Sequence, residues 1–129
     1  MSQRILIVED QEDNRQILRD LLTSADFEVI EAVDGETGLA AAAEHRPDLI
    51  LMDIQLPGLD GYEATRRIKA DVALQAIPII VVTSYALAGD DDKARAAGCD
   101  AYISKPYSPR QLLAKVREFA CGRADEVIE

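Results

Sequence analysis

Three short runs limit this chain more than any other feature: Ile5–Val8, Leu49–Met52 and Ile77–Val82 are almost continuously apolar, without period-two alternation. A strand with one wet face alternates apolar and polar side chains, whereas a strand covered by helices on both faces of a parallel sheet has no polar side to show. Two further β-rich segments, Glu28–Ala32 and Ala101–Ile103, bring the expected strands to five. Helical patterns fill the gaps. Ile17, Leu18, Leu21, Leu22 and Ala25 fall at helical spacing, and Leu39, Ala42 and Ala43 mark a second helix after Gly35. A third is expected from about Asp60 to Asp71, with Ala64, Thr65 and Ile68 inward. A weakly apolar fourth lies near Gly89 to Ala97, and a fifth carries Leu112, Val116 and Phe119 behind Ser108, a suitable N-cap. Strict alternation of strand and helix implies an α/β fold with a mostly parallel sheet. The 129 residues suit one domain, expected over 1–121, with residues 122–129 as a frayed tail.

Composition narrows the function. With 14 Lys+Arg against 24 Asp+Glu the formal net charge is −10, which disfavours a nucleic-acid partner, since neutralising phosphates takes clustered basic residues. An apolar content of 48% argues against disorder, and with 5% aromatic residues and no Trp the core must be mainly aliphatic. Cys99 and Cys121 lack metal-type spacing and are expected to be free thiols. The four-residue apolar run before Glu9 is too short for a signal peptide or membrane span, so a cytoplasmic location without membrane contact is expected.

The polar residues that interrupt the strands are the functional signal. Glu9 and Asp10 follow the first strand, Asp53 ends the third, Thr83 and Ser84 close the fourth, and Lys105 closes the fifth. All lie at the carboxyl ends of expected parallel strands, where open α/β sheets form their ligand crevice. Carboxylates converging there repel each other by several kcal/mol, about 4 at 4 Å and an effective dielectric of about 20. A hard divalent cation relieves that repulsion, and all-oxygen ligation suits Mg²⁺. Lys105 adds a point charge and Thr83 a hydroxyl donor, a set fitted to a phosphoryl group beside a metal.

Four segments carry a family resemblance: Ile7-Val8-Glu9-Asp10, Leu51 to Gly61 (LMDIQLPGLDG), Val81-Val82-Thr83-Ser84 and Lys105-Pro106. In this order and spacing they resemble the receiver domain of bacterial response regulators over nearly the whole chain, and the stretch Gly98 to Pro106 is closest to single-domain regulators of the cell-division type. The resemblance implies a flavodoxin-like receiver fold with five strands in the order 2-1-3-4-5 and five flanking helices. It implies a response regulator of a two-component or phosphorelay system, a signalling phosphoacceptor rather than an enzyme. Asp53 would accept a phosphoryl group from a histidine kinase or histidine phosphotransfer protein. Mg²⁺ would be held by Asp10, Asp53 and the backbone carbonyl of Gln55, with Glu9 assisting directly or through water. Thr83, Lys105 and Ser84 would receive the phosphoryl group, and Lys105-Pro106 would be a cis peptide. Thr83 and Tyr102 would form the switch that remodels the face of fourth helix, fifth strand and fifth helix for a downstream target. Gln55 and Tyr85 would tune loss of the phosphoryl group, and the protein would be a monomer or weak dimer.

Each residue has a plainer reading. Asp53 taken alone is a turn former, and Glu9 and Asp10 could cap the first helix, although Asp13 can do so instead. Asp90, Asp91 and Asp92 read as a solvated helix start, and the single His45 as an exposed helix-end residue. Gly35, Gly58, Gly61, Gly89 and Gly98 fall at turns and helix boundaries, in no nucleotide-binding pattern. The competing enzyme is a haloacid-dehalogenase-type phosphatase, which expects a DxD pair on the first strand; here that strand ends Glu9-Asp10, and Asp53 is followed by Ile54-Gln55. A receiver cut from a larger hybrid kinase, or one that only docks, is the third reading.

Overall fold

The computed structural model describes residues 3–83, 95–105 and 107–120. Five parallel strands, β1 (Arg4–Val8), β2 (Glu28–Ala32), β3 (Leu49–Asp53), β4 (Ile79–Thr83) and β5 (Ala101–Ser104), form one sheet in the order β2-β1-β3-β4-β5. Helices α1 (Glu12–Ser24), α2 (Gly35–His45) and α3 (Gly61–Ala70) make the connections, and a C-terminal helix (Pro109–Ala120) closes the fold. Most of the expected fourth helix lies outside the described residues; 95–97 are helical.

The continuous apolar runs are explained by what covers each face. Leu6, Val8, Ile50, Met52, Ile79 and Val81 share one core with Ala42 of α2 and with Ala64 and Ile68 of α3. Their neighbours Ile5, Ile7, Leu49, Leu51 and Ile80 point the other way, into a core with Leu18 and Leu22 of α1 and Leu112, Val116 and Ala120 of the C-terminal helix. Each fully buried Leu or Ile contributes about 1.5–3 kcal/mol relative to exposure. Along the edge strand β2 only Ala32 is buried, and Val29 and Ile30 are half-covered.

Helix starts follow the side chains available. Asp34 and Thr37 form a capping box on α2, and these hydrogen bonds hold the Asp34 carboxyl below its usual range. Asp60 accepts from the Glu63 N–H at 2.9 Å, and Ser108 exchanges two 3.0 Å hydrogen bonds with Gln111, as its expected cap role requires. Three details differ from expectation. The N-cap of α1 is Gln11, with no side-chain cap hydrogen bond, so Asp10 does not cap the helix, while Glu12 and Asp13 sit in its first turn, where acids suit the dipole. Ile17 is 58% exposed, off the core stripe that its spacing suggested. β4 begins at Ile79 rather than Ile77, because the Ile77 N–H donates to Leu74 and its carbonyl accepts from Lys69.

Candidate functional site

Strand register brings the acids together. Val8 pairs with Met52, so one step further along both strands Glu9 stands opposite Asp53. Glu9 keeps its place beyond β1 by donating its N–H to Ala32 on the neighbouring strand. Asp53 is the last residue of β3, and beyond it Leu56 and Gly61 both donate to the Ile54 carbonyl, which folds the loop back. Gly61 opens α3 against that backbone. A Cβ there would lie 2.1 Å from the Asp53 carbonyl oxygen, so only glycine lets the helix start so close to the acid.

Glu9 and Asp53 are buried, at 2% and 5% exposure, while Asp10 is the more solvent-facing of the three. One carboxylate oxygen from each lies within 4.8 Å of the other two. Lys105, directly after β5, places Nζ 3.2 Å from Glu9 Oε1 and 3.6 Å from Asp53 Oδ2. The Gln11 N–H donates to Glu9 Oε2 at 3.1 Å, and the Gln55 N–H to Asp53 Oδ1 at 3.2 Å. Burial raises the Glu9 pKa above the usual carboxylate range, and the hydrogen-bonding Asp53 carboxyl raises it further; the Gln11 N–H and Lys105 pull the other way. Tyr107 shares this environment: burial first, then the charges of Glu9 and Asp53, raise its hydroxyl pKa.

The donor set fits a small hard cation. Octahedral Mg²⁺ with bonds of about 2.1 Å spaces opposite oxygens at about 4.2 Å. Three oxygens cannot all stand opposite one another, and neighbouring ones sit about 3 Å apart, so carboxylates that lie within 4.8 Å would draw together around the ion. Glu9, Asp10, Asp53 and Lys105 converge as the sequence suggested, and the Gln55 backbone lies beside Asp53. Thr83 ends β4 opposite Ser104, one place beyond Val82, the partner of Asp53. Tyr102 is 39% exposed on β5. Ser84, Tyr85, Asp90 to Asp92, Pro106 and hence the Lys105-Pro106 peptide, and Cys121 lie outside the described residues; Cys99 is free and half-buried. Sequence reasoning passed over Arg15 and Tyr107, whose links to the cleft depend on how elements pack. No helix among the described residues is long and apolar enough to cross a membrane.

Fold and cleft together define a doubly wound α/β module with an acid trio bridged by a lysine at its carboxyl edge. The chain belongs to the response regulator receiver domain family, whose model matches residues 5–117. It is 44% identical over 119 residues to the polar-differentiation response regulator DivK of Brucella anthropi, which covers 92% of this chain and 97% of the relative. The receiver domain of a sensor histidine kinase from Pseudomonas aeruginosa superposes with a TM-score of 0.87 at 37% identity, over 93% of this chain and 98% of that one; its crystal structure holds a magnesium ion in the active-site cleft. A CheY-like receiver domain protein from Methanospirillum hungatei gives a TM-score of 0.89 at 32% identity, over 98% and 99% of the two chains. The chain is thus a response regulator receiver of two-component signalling, similar to DivK.

Proposed function

We propose that Asp53 is the phosphoacceptor and that its phosphorylation by a partner phosphohistidine, with Mg²⁺ in the cleft, switches the protein's binding surface. The observation that carries this reading is the meeting of Glu9, Asp10 and Asp53 within 4.8 Å, with Lys105 reaching two of them. An Asp53 carboxylate oxygen attacks phosphorus in line; the P–N bond to the donor imidazole breaks, and its electron pair leaves with the imidazole. Asp10, Asp53 and the Gln55 carbonyl would hold Mg²⁺, with Glu9 direct or through water. When bound, the ion neutralises the crowded carboxylates and the charge on the phosphoryl oxygens. Lys105 then exchanges its carboxylate partners for a phosphoryl oxygen, while Thr83 and Ser84 receive the others. Thr83 and Tyr102 carry the change to the face made by β5 and the helices flanking it, where a downstream target docks. The donor is a histidine kinase or histidine phosphotransfer protein, and the protein acts by contact rather than by turnover, in the cytoplasm, as a monomer or weak dimer.

Incubation with a radiolabelled phosphohistidine donor tests this directly. Wild-type protein should take up label only with Mg²⁺, and Asp53→Asn should take up none. Undiminished labelling of Asp53→Asn would move the acceptor elsewhere. Turnover of a phosphomonoester without a partner protein would favour the phosphatase reading instead.

A further inference from the structure

Arg15 lies in the first turns of α1 with its side chain only 12% exposed, and none of the chemistry above uses it. Its guanidinium touches three elements. Nη1 donates to the Glu9 backbone carbonyl at 2.9 Å, Nη2 pairs with Glu12 on α1, and Nε lies 3.3 Å from Glu31 on β2. Arg19 pairs with the same two acids, at 2.8 Å to Glu31 and 3.9 Å to Glu12, but the described contacts do not take it to the Glu9 carbonyl. A guanidinium is planar, with its donors in a fixed fork, so acceptors on three elements fix both its plane and its position.

The carbonyl it holds belongs to the peptide joining Glu9 to Asp10. Holding that peptide plane limits ψ of Glu9 and φ of Asp10, and so sets the direction in which the Asp10 side chain leaves the backbone. We propose that Arg15 is a positioning residue for the cation site: it braces the Glu9–Asp10 peptide so that the Asp10 carboxylate faces the place Glu9 and Asp53 share. This rests on the cation-binding reading above. A purely electrostatic role has the opposite sign, since a positive charge beside a cation site weakens binding and its removal would tighten it.

Calorimetric Mg²⁺ titration of the unphosphorylated protein separates the two. Loss of an outer partner that orients a metal ligand costs about 10- to 100-fold in affinity, so Arg15→Met should weaken Mg²⁺ binding about tenfold. Arg15→Lys keeps the charge but not the fork and should fall between Met and wild type. Arg19→Ala should bind as tightly as wild type or tighter. Wild-type or tighter affinity in Arg15→Met overturns the proposal. If Arg15→Met fails to fold, Arg15→Lys decides: weakened binding at unchanged charge supports positioning, and wild-type affinity refutes it. Absence of Mg²⁺ binding in the wild type itself sinks the underlying cation reading, an outcome distinct from a variant that merely matches a binding wild type.

Discussion

At the amino edge of the sheet Lys69 donates to the carbonyls of Gln75 and Ile77 and to Asp100 at 2.9 Å, while Asp100 also accepts from the Ile79 N–H. Arg4 is tied there as well, its N–H to Asp48 and its guanidinium to the His45 carbonyl. At the carboxyl edge Lys105 stands between two buried carboxylates at 3.2 and 3.6 Å, with Asp10 nearby, while Arg15 reaches the Glu9 backbone carbonyl and pairs its charge with Glu12 and Glu31. The same residue types serve opposite ends. Below, the charged side chains are tied to backbone groups and, in Lys69 and Asp100, to each other, lashing strand starts together; above, three carboxylates gather around one lysine. The lower edge is therefore built for stability, and the upper for a ligand that brings positive charge.

Substitutions at the two edges should separate these properties. The largest effect belongs above: Asp53→Asn should lose all phosphoryl labelling while its thermal midpoint, measured without metal, stays level or rises, because one of the crowded charges is gone. A lowered midpoint would show that the acid supports the fold. Below, Asp100→Ala leaves the Ile79 N–H without its side-chain acceptor and Lys69 without its ion partner, though still on the Gln75 and Ile77 carbonyls, and should cost about 2 kcal/mol in urea unfolding, with labelling of Asp53 intact.

The pH dependence distinguishes the edges more finely. Glu9 holds its proton more tightly in the fold than in the unfolded chain, so its contribution is fully present below pH 4.5 and is lost as pH rises through its raised value. Metal-free wild type should lose stability across that window, and Glu9→Gln should flatten the slope; an unchanged slope would place the titrating group elsewhere. The smallest effect concerns Arg46, which caps α2 in the left-handed region at φ 46°. Arg46→Gly should gain about 0.5 kcal/mol by relieving that backbone, without change in labelling.

What was legible in the sequence was what neighbours along the chain decide. Leu49 to Met52 reads as a strand covered on both faces, and an acid or lysine just after such a strand falls on the carboxyl edge. Asp53, Glu9, Asp10 and Lys105 were placed on that logic, and strand register completes it by setting Glu9 opposite Asp53. Contacts between elements were hidden. Nothing local to Arg15 announces Glu31 on β2, and nothing in the helical spacing of Ile17 says that the stripe of α1 rests on Leu18 and Leu22, flanked by Leu21 and Ala25, and leaves Ile17 out. Ile77 reads as a strand residue until the Leu74 carbonyl and Lys69 occupy its backbone. Gly61 was legible as a helix boundary, but not as the residue whose missing side chain admits α3 to the Asp53 carbonyl.

The central claim is that Glu9, Asp10 and Asp53 form one cation site, and thermal unfolding against Mg²⁺ concentration tests it most directly. At ten times the dissociation constant a ligand bound only by the native state adds about 1.4 kcal/mol, which for a domain of this size raises the midpoint by about 5 °C. The wild type should show that rise and Asp10→Ala should lose most of it. A wild-type midpoint indifferent to Mg²⁺ would contradict the account.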